Sequence, residues 1–398
     1  MKKHLLRLSC LLLLPLSSFA QGPLNPPGAP APTMKSLDEL DAKLDQVEAK
    51  TEKRRPISSL PLTITAPGSY YLTRNLTGAV GQDGITVNAD DVTIDLNGFM
   101  LAGPGANGIV AVGARIAIRN GTVSGWSQTG ITAGAGALVE NIRASNNPGR
   151  GISAGNNSVV QSCTVTNSGT IAAGRGIAAG AGSLVSKCLV TGTSGANAIA
   201  INAASGSTVM DSTARDNAAA GGFGIQAGNS SMILRCESSI NSGVTAAINV
   251  NASGKIIDCV ASGNPGTNSH GITAVSHVLI TGCTTSFNGG DGININNRCT
   301  VTNNSVTENA NDGIEVVGSY NRLEGNNVIG NAAVGIKANN NTTAKQNLFI
   351  RNSAGANATL NYSVMTGGGG GVTNAFGPIV THANIGSNTN PHANYDLD

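Results

Sequence analysis

A short apolar pair, Gly-Ile or Ala-Ile, recurs along most of the chain at a nearly constant interval. Repeats of about 20 to 50 residues mark stacked structural units, each of which contacts only its neighbours. The spacing therefore predicts a parallel β-solenoid of about 12 coils, in which successive coils lie roughly 4.8 Å apart. Twelve isoleucines, 21 to 26 residues apart, define the repeat: Ile85, Ile109, Ile131, Ile152, Ile177, Ile199, Ile225, Ile248, Ile272, Ile293, Ile314 and Ile336.

The composition agrees with an all-β solenoid that has a core of small aliphatic side chains. Hydrophobic residues make up 40% of the 398 residues, whereas aromatic residues make up only 3%. Each coil has a strand at the Gly-Ile pair, a second strand about eight residues later and a short third strand. Asn, Gly, Ser and Asp lie between the strands, where sharp corners need left-handed and turn conformations.

The N-terminus has the features of a secretory signal peptide over residues 1–20. The apolar stretch 8–16 is shorter than the roughly 20 residues that a membrane-spanning helix needs, and small residues at 18 and 20 offer a cleavage site. We therefore expect a secreted or periplasmic protein with no membrane insertion after cleavage. Cleavage would leave 21 basic and 22 acidic residues, which gives no basic excess for binding nucleic acid. The basic residues removed are Lys2, Lys3 and Arg7.

The segments that flank the coils differ from them in composition. Residues 21–35 are rich in Pro and Gly and predict a flexible linker. Residues 36–55 predict a short helix that ends before Pro56 and either packs over the first coil or forms an oligomerising stalk. The β-helix domain is expected over 57–352, with 57–82 as its N-terminal cap. The Gly-rich tail 353–398 either folds over the last coil or hangs free.

A second column of side chains supports the repeat. Its cysteines either form disulfides between adjacent coils or stay unbridged as small buried hydrophobes, and its asparagines predict stacked side-chain amides. The residues recur every 21 to 25 positions: Cys163, Cys188, Ser212, Cys236, Cys259, Cys283, Asn304, Asn326 and Asn347.

These repeats, together with DDVTIDLNG at 90–98, resemble the right-handed parallel β-helix superfamily with the pectate-lyase-like fold. The segment PGSYYLT at 67–73 resembles the opening segment of secreted bacterial β-helix repeat proteins. The superfamily contains pectin and alginate lyases, polygalacturonases, chondroitinases, and phage and bacterial surface proteins. The resemblance implies a right-handed, single-stranded β-helix and a protein associated with carbohydrate. The matching positions are structural, so the resemblance extends to the scaffold and leaves the activity open.

Residues at equivalent positions of successive coils form the main candidate site. His270, Asp291 and Asp312 precede Gly-Ile pairs, so they are expected to lie side by side. His270 would be the base, and the carboxylates would supply an acid or bind Ca²⁺ through Asp291 and Asp312, with no other cofactor required. The alternative is that Asp-Gly simply forms the corner before each strand. Three residues just beyond the corner complete the site: Asn294 and Lys337 for substrate binding, and Glu315 as a further catalytic carboxylate.

Two other columns carry charge. Arg150 and Arg175, on adjacent coils, either bind a substrate carboxylate or sulfate together or form a solvated pair. The second column either contributes a base and a cation, as lyases of the resembled superfamily do, or forms a salt-bridge ladder. Its members are Glu140, Lys187, Asp211, Arg235 and Asp258.

Two functions follow. The first is recognition of an extracellular polysaccharide, with cleavage by a lyase or glycoside hydrolase mechanism if the protein is an enzyme. The second is a non-catalytic surface scaffold or adhesin, which the even coil length and the lack of a long inserted loop favour.

Overall fold

The computed structural model describes residues 39, 41–43, 53–338, 344–364 and 373–398. The chain divides into two units, Met1–Lys53 and Arg54–Asp398. In the first unit, Glu39 and Asp41–Lys43 are helical. The signal peptide, the linker and most of the expected helix lie outside the described residues.

Parallel strands in two sheets make up the second unit, and the only other element in its described part is a 3₁₀ helix at Ile385–Ser387. The first sheet has 14 strands: Leu62–Ile64, Ile85–Val87, Ile109–Ala111, Thr129–Ala133, Arg150–Ala154, Arg175–Ala179, Ile199–Ala203, Phe223–Ala227, Ala246–Ala252, His270–Ser276, Ile293–Asn297, Ile314–Val316, Val334–Ala338 and Leu360–Val364.

The second sheet has 28 strands because most coils contribute two strands to it or one longer strand. They are Arg55–Ile57, Gly68–Leu72, Leu76–Thr77, Val92–Asp95, Met100–Ala102, Ala117–Ser124, Leu138–Ser145, Val159–Gln161, Thr164–Thr166, Leu184–Ser186, Leu189–Thr191, Thr208–Met210, Thr213–Arg215, Met232–Leu234, Glu237–Ser239, Lys255–Ile257, Val260–Ser262, Leu279–Thr281, Thr284–Ser286, Thr300–Thr302, Ser305–Thr307, Arg322–Glu324, Asn327–Ile329, Leu348–Ile350, Ser353–Gly355, Ala375–Phe376, Ile379–Val380 and Asn394–Asp396.

The all-β solenoid predicted from the repeat is confirmed, with about 13 turns. The predicted number was 12, and the difference arises at the ends. Leu62–Ile64 pairs in register with Ile85–Val87, so the expected cap segment itself supplies a coil. At the other end, Leu360–Val364 pairs with Val334–Ala338, so the paired strands extend past residue 352.

One isoleucine was assigned to the wrong position. The structure pairs Ile177 with Ile201 and Ile201 with Ile225, whereas Ile199 pairs with Arg175. The sequence there reads Ala-Ile-Ala-Ile, and a shift of two residues leaves every side chain on the same face of a strand. Local hydrophobicity therefore does not distinguish the two registers.

The structure also shows which conformation the flanking segments adopt at the two ends of the second unit. Arg55 and Pro56 are extended and pair with Tyr70 and Tyr71, so the expected helix does not reach Arg55. The reason is steric, because a residue that precedes proline is disfavoured in the helical region. The C-terminal residues fold back onto the last coils, where the ring of Phe376 lies 5.8 Å from Phe349 and 5.4 Å from Tyr362.

Hydrogen-bonded ladders of buried side chains run along the corners. The predicted Cys/Asn column continues through Asn326 to Asn352 and Asn394, so the placement of Asn347 in it was wrong. Asn347 instead belongs to a second ladder that starts at Cys299. The prediction of stacked amides is confirmed, and a third ladder forms the longest run of asparagines: Asn217, Asn241, Asn264, Asn288, Asn309, Asn331 and Asn357. All six cysteines among the described residues are buried and unbridged.

Candidate functional site: a His–Asp–Lys cluster on four coils

Four successive coils bring six of the predicted site residues together near the beginning of neighbouring strands in the 14-stranded sheet. The strand register aligns Asn294, Glu315 and Lys337 as direct neighbours on the outer face. Asp291 and Asp312 lie just before the strands that carry Asn294 and Glu315. Because each coil repeats the same path, the turn before a strand supplies the inner residues of this cluster, and the strand itself supplies the outer residues.

Asp291 is completely buried and divides its two carboxylate oxygens between two roles. Oδ1 accepts the backbone N–H of Asp312 at 3.2 Å and the side-chain amide of Asn311 at 2.7 Å. Oδ2 accepts the amide of Asn294 at 2.8 Å and lies 3.2 Å from Nδ1 of His270. One oxygen therefore stabilises the corner before the strand, which is the role that the alternative interpretation gives to Asp-Gly. The other oxygen faces the cluster.

Asp312 repeats this division one coil later. Its Oδ1 accepts the backbone N–H of Val334 at 3.0 Å, and its Oδ2 lies 2.6 Å from Nζ of Lys337. The same ammonium group is 3.0 Å from Oε1 of Glu315, whose Oε2 accepts the Asn294 amide at 2.8 Å. Lys337 thus binds two carboxylates at once, while Asn294 links Glu315 to Asp291.

The environment separates the pKa values of the two carboxyls that share Asn294. Burial alone would raise the pKa of Asp291, but hydrogen bonds from His270 and Asn294 outweigh it and hold that pKa below its ordinary value. Burial raises the pKa of Glu315, with the charge of Asp291 adding to the effect and Lys337 opposing it. Burial likewise disfavours the charged Lys337, yet its bonds to Asp312 and Glu315 raise its pKa.

His270 is held at Nδ1 and one-fifth exposed. The backbone N–H of Asp291 also points at Nδ1, at 3.1 Å, so this nitrogen either accepts from that amide or donates to the Asp291 carboxylate. Donation to an ionised carboxylate is the stronger interaction, because charge assists it. In that tautomer the lone pair lies on Nε2, which has no hydrogen-bond partner among the described residues.

The three carboxylates are close enough together to hold a metal ion, since one oxygen from each lies within 4.8 Å of the others. Ca²⁺ prefers such oxygen ligands. In this arrangement, however, Lys337 lies against two of the three carboxylates and already supplies a positive charge. A cation at this site would have to share or replace the contacts of that ammonium group.

The two predicted substrate-binding arginines lie elsewhere on the same sheet. Arg150 and Arg175 are register partners, several coils closer to the N-terminus than His270. Nη1 of Arg175 donates to the backbone carbonyls of Ala173 and Gly174, at 2.7 and 2.8 Å, and so fastens its own turn. Arg150 is exposed and bonds only to Ser153 among the described residues.

The charged column is a salt-bridge ladder in part. Arg235 makes a bidentate pair with Asp211, with N–O distances of 2.7 and 3.0 Å. Glu140 does not belong to this column, because Asn141 occupies the equivalent left-handed position and Glu140 instead accepts from Gln161 on the next coil.

Sequence reasoning missed two properties of the cluster. It did not predict that Asp291 and Asp312 are both buried. It also overlooked Asn311, whose amide completes the shell of Asp291. The available signal was its position directly before Asp312, which places it in the corner that stacks on Asp291.

The comparisons with known proteins agree with this architecture. The family model for the right-handed β-helix region matches residues 223–375. The chain contains a right-handed parallel β-helix. The predicted right-handed parallel β-helix is thereby confirmed. No curated protein sequence matches the chain significantly.

Several solved β-helix structures are similar to this chain. A mutant of the periplasmic alginate epimerase AlgG is 11% identical, with a TM-score of 0.44 over 89% of this chain and 83% of that chain. The A-module of the Azotobacter vinelandii mannuronan C-5 epimerase AlgE6 is 13% identical, with a TM-score of 0.39 over 83% of this chain and 91% of that chain. PfbA, a surface adhesin of Streptococcus pneumoniae, is 9% identical, with a TM-score of 0.28 over 78% and 85%. At these low sequence identities, the shared fold does not indicate the function of this chain.

Among the described residues, no helix has the length and apolar character that crossing a membrane would require.

Proposed function

We propose that this β-helix is a secreted or periplasmic protein that binds an extracellular polysaccharide across the His270 cluster and cleaves it. His270 is the base, Asp291 is the residue that positions it, and Glu315 is the acid. Asn294 and Lys337 hold the bound sugar next to them. The N-terminal signal sequence at 1–20 supports the location.

One observation carries the proposal: a fully buried carboxylate lies 3.2 Å from Nδ1 of a partly exposed imidazole. A buried Asp that accepts the Nδ1 proton fixes the tautomer and leaves Nε2 free to take a proton from substrate. The separation of pKa values supports the assignment of acid and base. Asp291 stays ionised, while the raised pKa of Glu315 favours a carboxyl that can give a proton.

A specific observation favours the scaffold or adhesin alternative. The carboxylate oxygens of Asp291, Asp312 and Glu315 all have donors within the chain, so the cluster is already a complete internal charge network. A network of this kind stabilises a corner without any ligand. The cleavage function and the scaffold or adhesin function therefore differ in whether the protein turns over a polysaccharide with His270 as the base.

The test is a turnover screen on mature protein with pectate, alginate, chondroitin, hyaluronan and neutral glycans, with Ca²⁺ and with chelator. Absorbance of unsaturated uronates and new reducing ends are followed. The His270→Asn variant should lose turnover, whereas His277→Asn, which changes an exposed histidine on the same strand region, should keep it. Equal rates in both variants would remove His270 from the mechanism. Folded protein that turns over no polymer would leave the scaffold or adhesin function.

A further inference from the structure

A second polar surface lies on the 28-stranded sheet, at the bend where each coil passes through a left-handed residue. The strands Ala117–Ser124 and Leu138–Ser145 continue through this bend, with φ of 60° at Asn120 and 53° at Asn141. Beside them is a cleft of 420 Å³, within the range of about 300 to 1,000 Å³ that small-molecule sites occupy. Its polar lining comes from Asn120, Thr122, Asn141, Arg143, Ser162 and Thr164.

Arg143 is the one charged side chain in the lining of this cleft. It is exposed, and its guanidinium makes no hydrogen bond or ion pair with the part of the chain that the structure describes. Glu140, three residues earlier on the same strand, accepts instead from Gln161 at 2.9 Å. By contrast, Arg115 and Arg235, which are left-handed residues on other coils, pair with aspartates of the preceding coil. The five N–H donors of Arg143 are therefore available to a ligand.

Hydroxyl and amide groups surround this free cation in a fixed arrangement. The strand register places Thr122 and Thr164 directly on either side of Arg143. Asn141 donates to Asn120 at 3.4 Å, so the neighbouring corner carries a short row of amides. A planar guanidinium matches a carboxylate in two-point geometry, and the flanking groups can both donate to and accept from hydroxyls.

We propose that this cleft binds an acidic sugar residue, with its carboxylate on Arg143 and its hydroxyls on the flanking Thr and Asn side chains. The site goes beyond the proposed function, because it lies on the other sheet and several coils closer to the N-terminus than His270. It anchors a saccharide and performs no chemistry.

The experiment is isothermal titration of the mature protein with galacturonate oligomers and with their methyl esters, which have the same ring but no charge. The acid form should bind, more weakly as salt rises, and the ester should not. Arg143→Met should weaken binding by about tenfold to a hundredfold, as expected for a lost charged hydrogen bond. Arg143→Lys, which keeps the charge but not the planar fork, should fall between.

Three controls keep the result specific. Arg215→Met, which removes an exposed arginine elsewhere on the same sheet, should bind as the parent does. Thermal unfolding of Arg143→Met should match the parent, because the side chain is exposed and unpaired. His270→Asn should retain the Arg143-dependent binding, so a failure of the proposed cleavage is distinguishable from a failure of this site.

Two results would overturn the inference: equal affinity for acid and ester, or unchanged affinity in Arg143→Met. A sulfated neutral oligosaccharide or inorganic phosphate that binds at Arg143 when the galacturonate oligomer does not would overturn the assignment of a carboxylate.

Discussion

Lys337→Met is the most informative single change in the cluster, because it removes the one cation that faces two carboxylates. The ammonium group lies 2.6 Å from the buried Asp312 and 3.0 Å from Glu315. Breaking a buried ion pair by removing one partner costs about 3 to 5 kcal/mol. Since 27% of the Lys337 side chain is exposed, water screens part of this loss, and we expect a fall of about 2 to 3 kcal/mol in the free energy of unfolding.

The fall in the free energy of unfolding of Lys337→Met should depend on pH. Burial already raises the folded-state pKa of Glu315, and without Lys337 an opposing influence disappears, so that pKa rises further. A carboxyl whose folded pKa exceeds its unfolded pKa destabilises the fold when ionised, and this penalty is relieved as pH falls through the folded value. The deficit of Lys337→Met should therefore be largest near about pH 7 and shrink toward about pH 5.

Urea unfolding followed by far-ultraviolet circular dichroism at both pH values measures the effect. Lys255→Met, which removes an exposed lysine without an ion pair among the described residues, is the matched control and should change little. Adding Asp312→Asn to Lys337→Met should restore much of the loss, because the amide can still accept from Val334. Excess Ca²⁺ should stabilise Lys337→Met more than the parent protein. A variant as stable as the parent at both pH values would refute the view that Lys337 neutralises this site.

Three further predictions concern the scaffold. Asn309→Ala should lower the free energy of unfolding by about 3 kcal/mol, because the side chain makes four hydrogen bonds and its truncation leaves buried partners unsatisfied. Denaturant unfolding, with the exposed Asn251→Ala as the control, measures this loss. Ile240→Asn should raise stability by about 1 kcal/mol, because a β-branched residue at φ 55° is disfavoured there, and an unchanged or lower midpoint would count against the strain. A thiol reagent should modify no cysteine in the native protein and all six after denaturation, and rapid native labelling would contradict the observed burial of Cys163, Cys188, Cys236, Cys259, Cys283 and Cys299.

The repeat predicted the fold well because stacking forces equivalent positions into columns. That rule placed His270, Asp291, Asp312 and Glu315 on neighbouring coils, and the structure brings their side chains together. The same rule failed where a pattern is locally degenerate, as at Ile199, since a two-residue shift keeps the inner face intact.

The direction of a side chain at a corner was not predictable from the period. Whether Asp291 points inward or outward depends on the backbone conformation of the turn before it, and neighbouring turns differ in length by several residues. The contact of Lys337 with two carboxylates likewise depends on a long, flexible side chain reaching back to the preceding coil. Both features depend on contacts between adjacent coils that the repeat period does not encode.

In Asp291 and Asp312, a single side chain serves both the scaffold and the charged cluster. One oxygen of each residue fastens the next coil, and the other faces the charged cluster. A lineage that discards the outer role still needs an acceptor in the corner, which Asn supplies equally well, as Asn107 does earlier in the chain. Loss of the site therefore takes only the exchange of a carboxylate for an amide, and a corner that carries Asn can gain a charge by the reverse exchange.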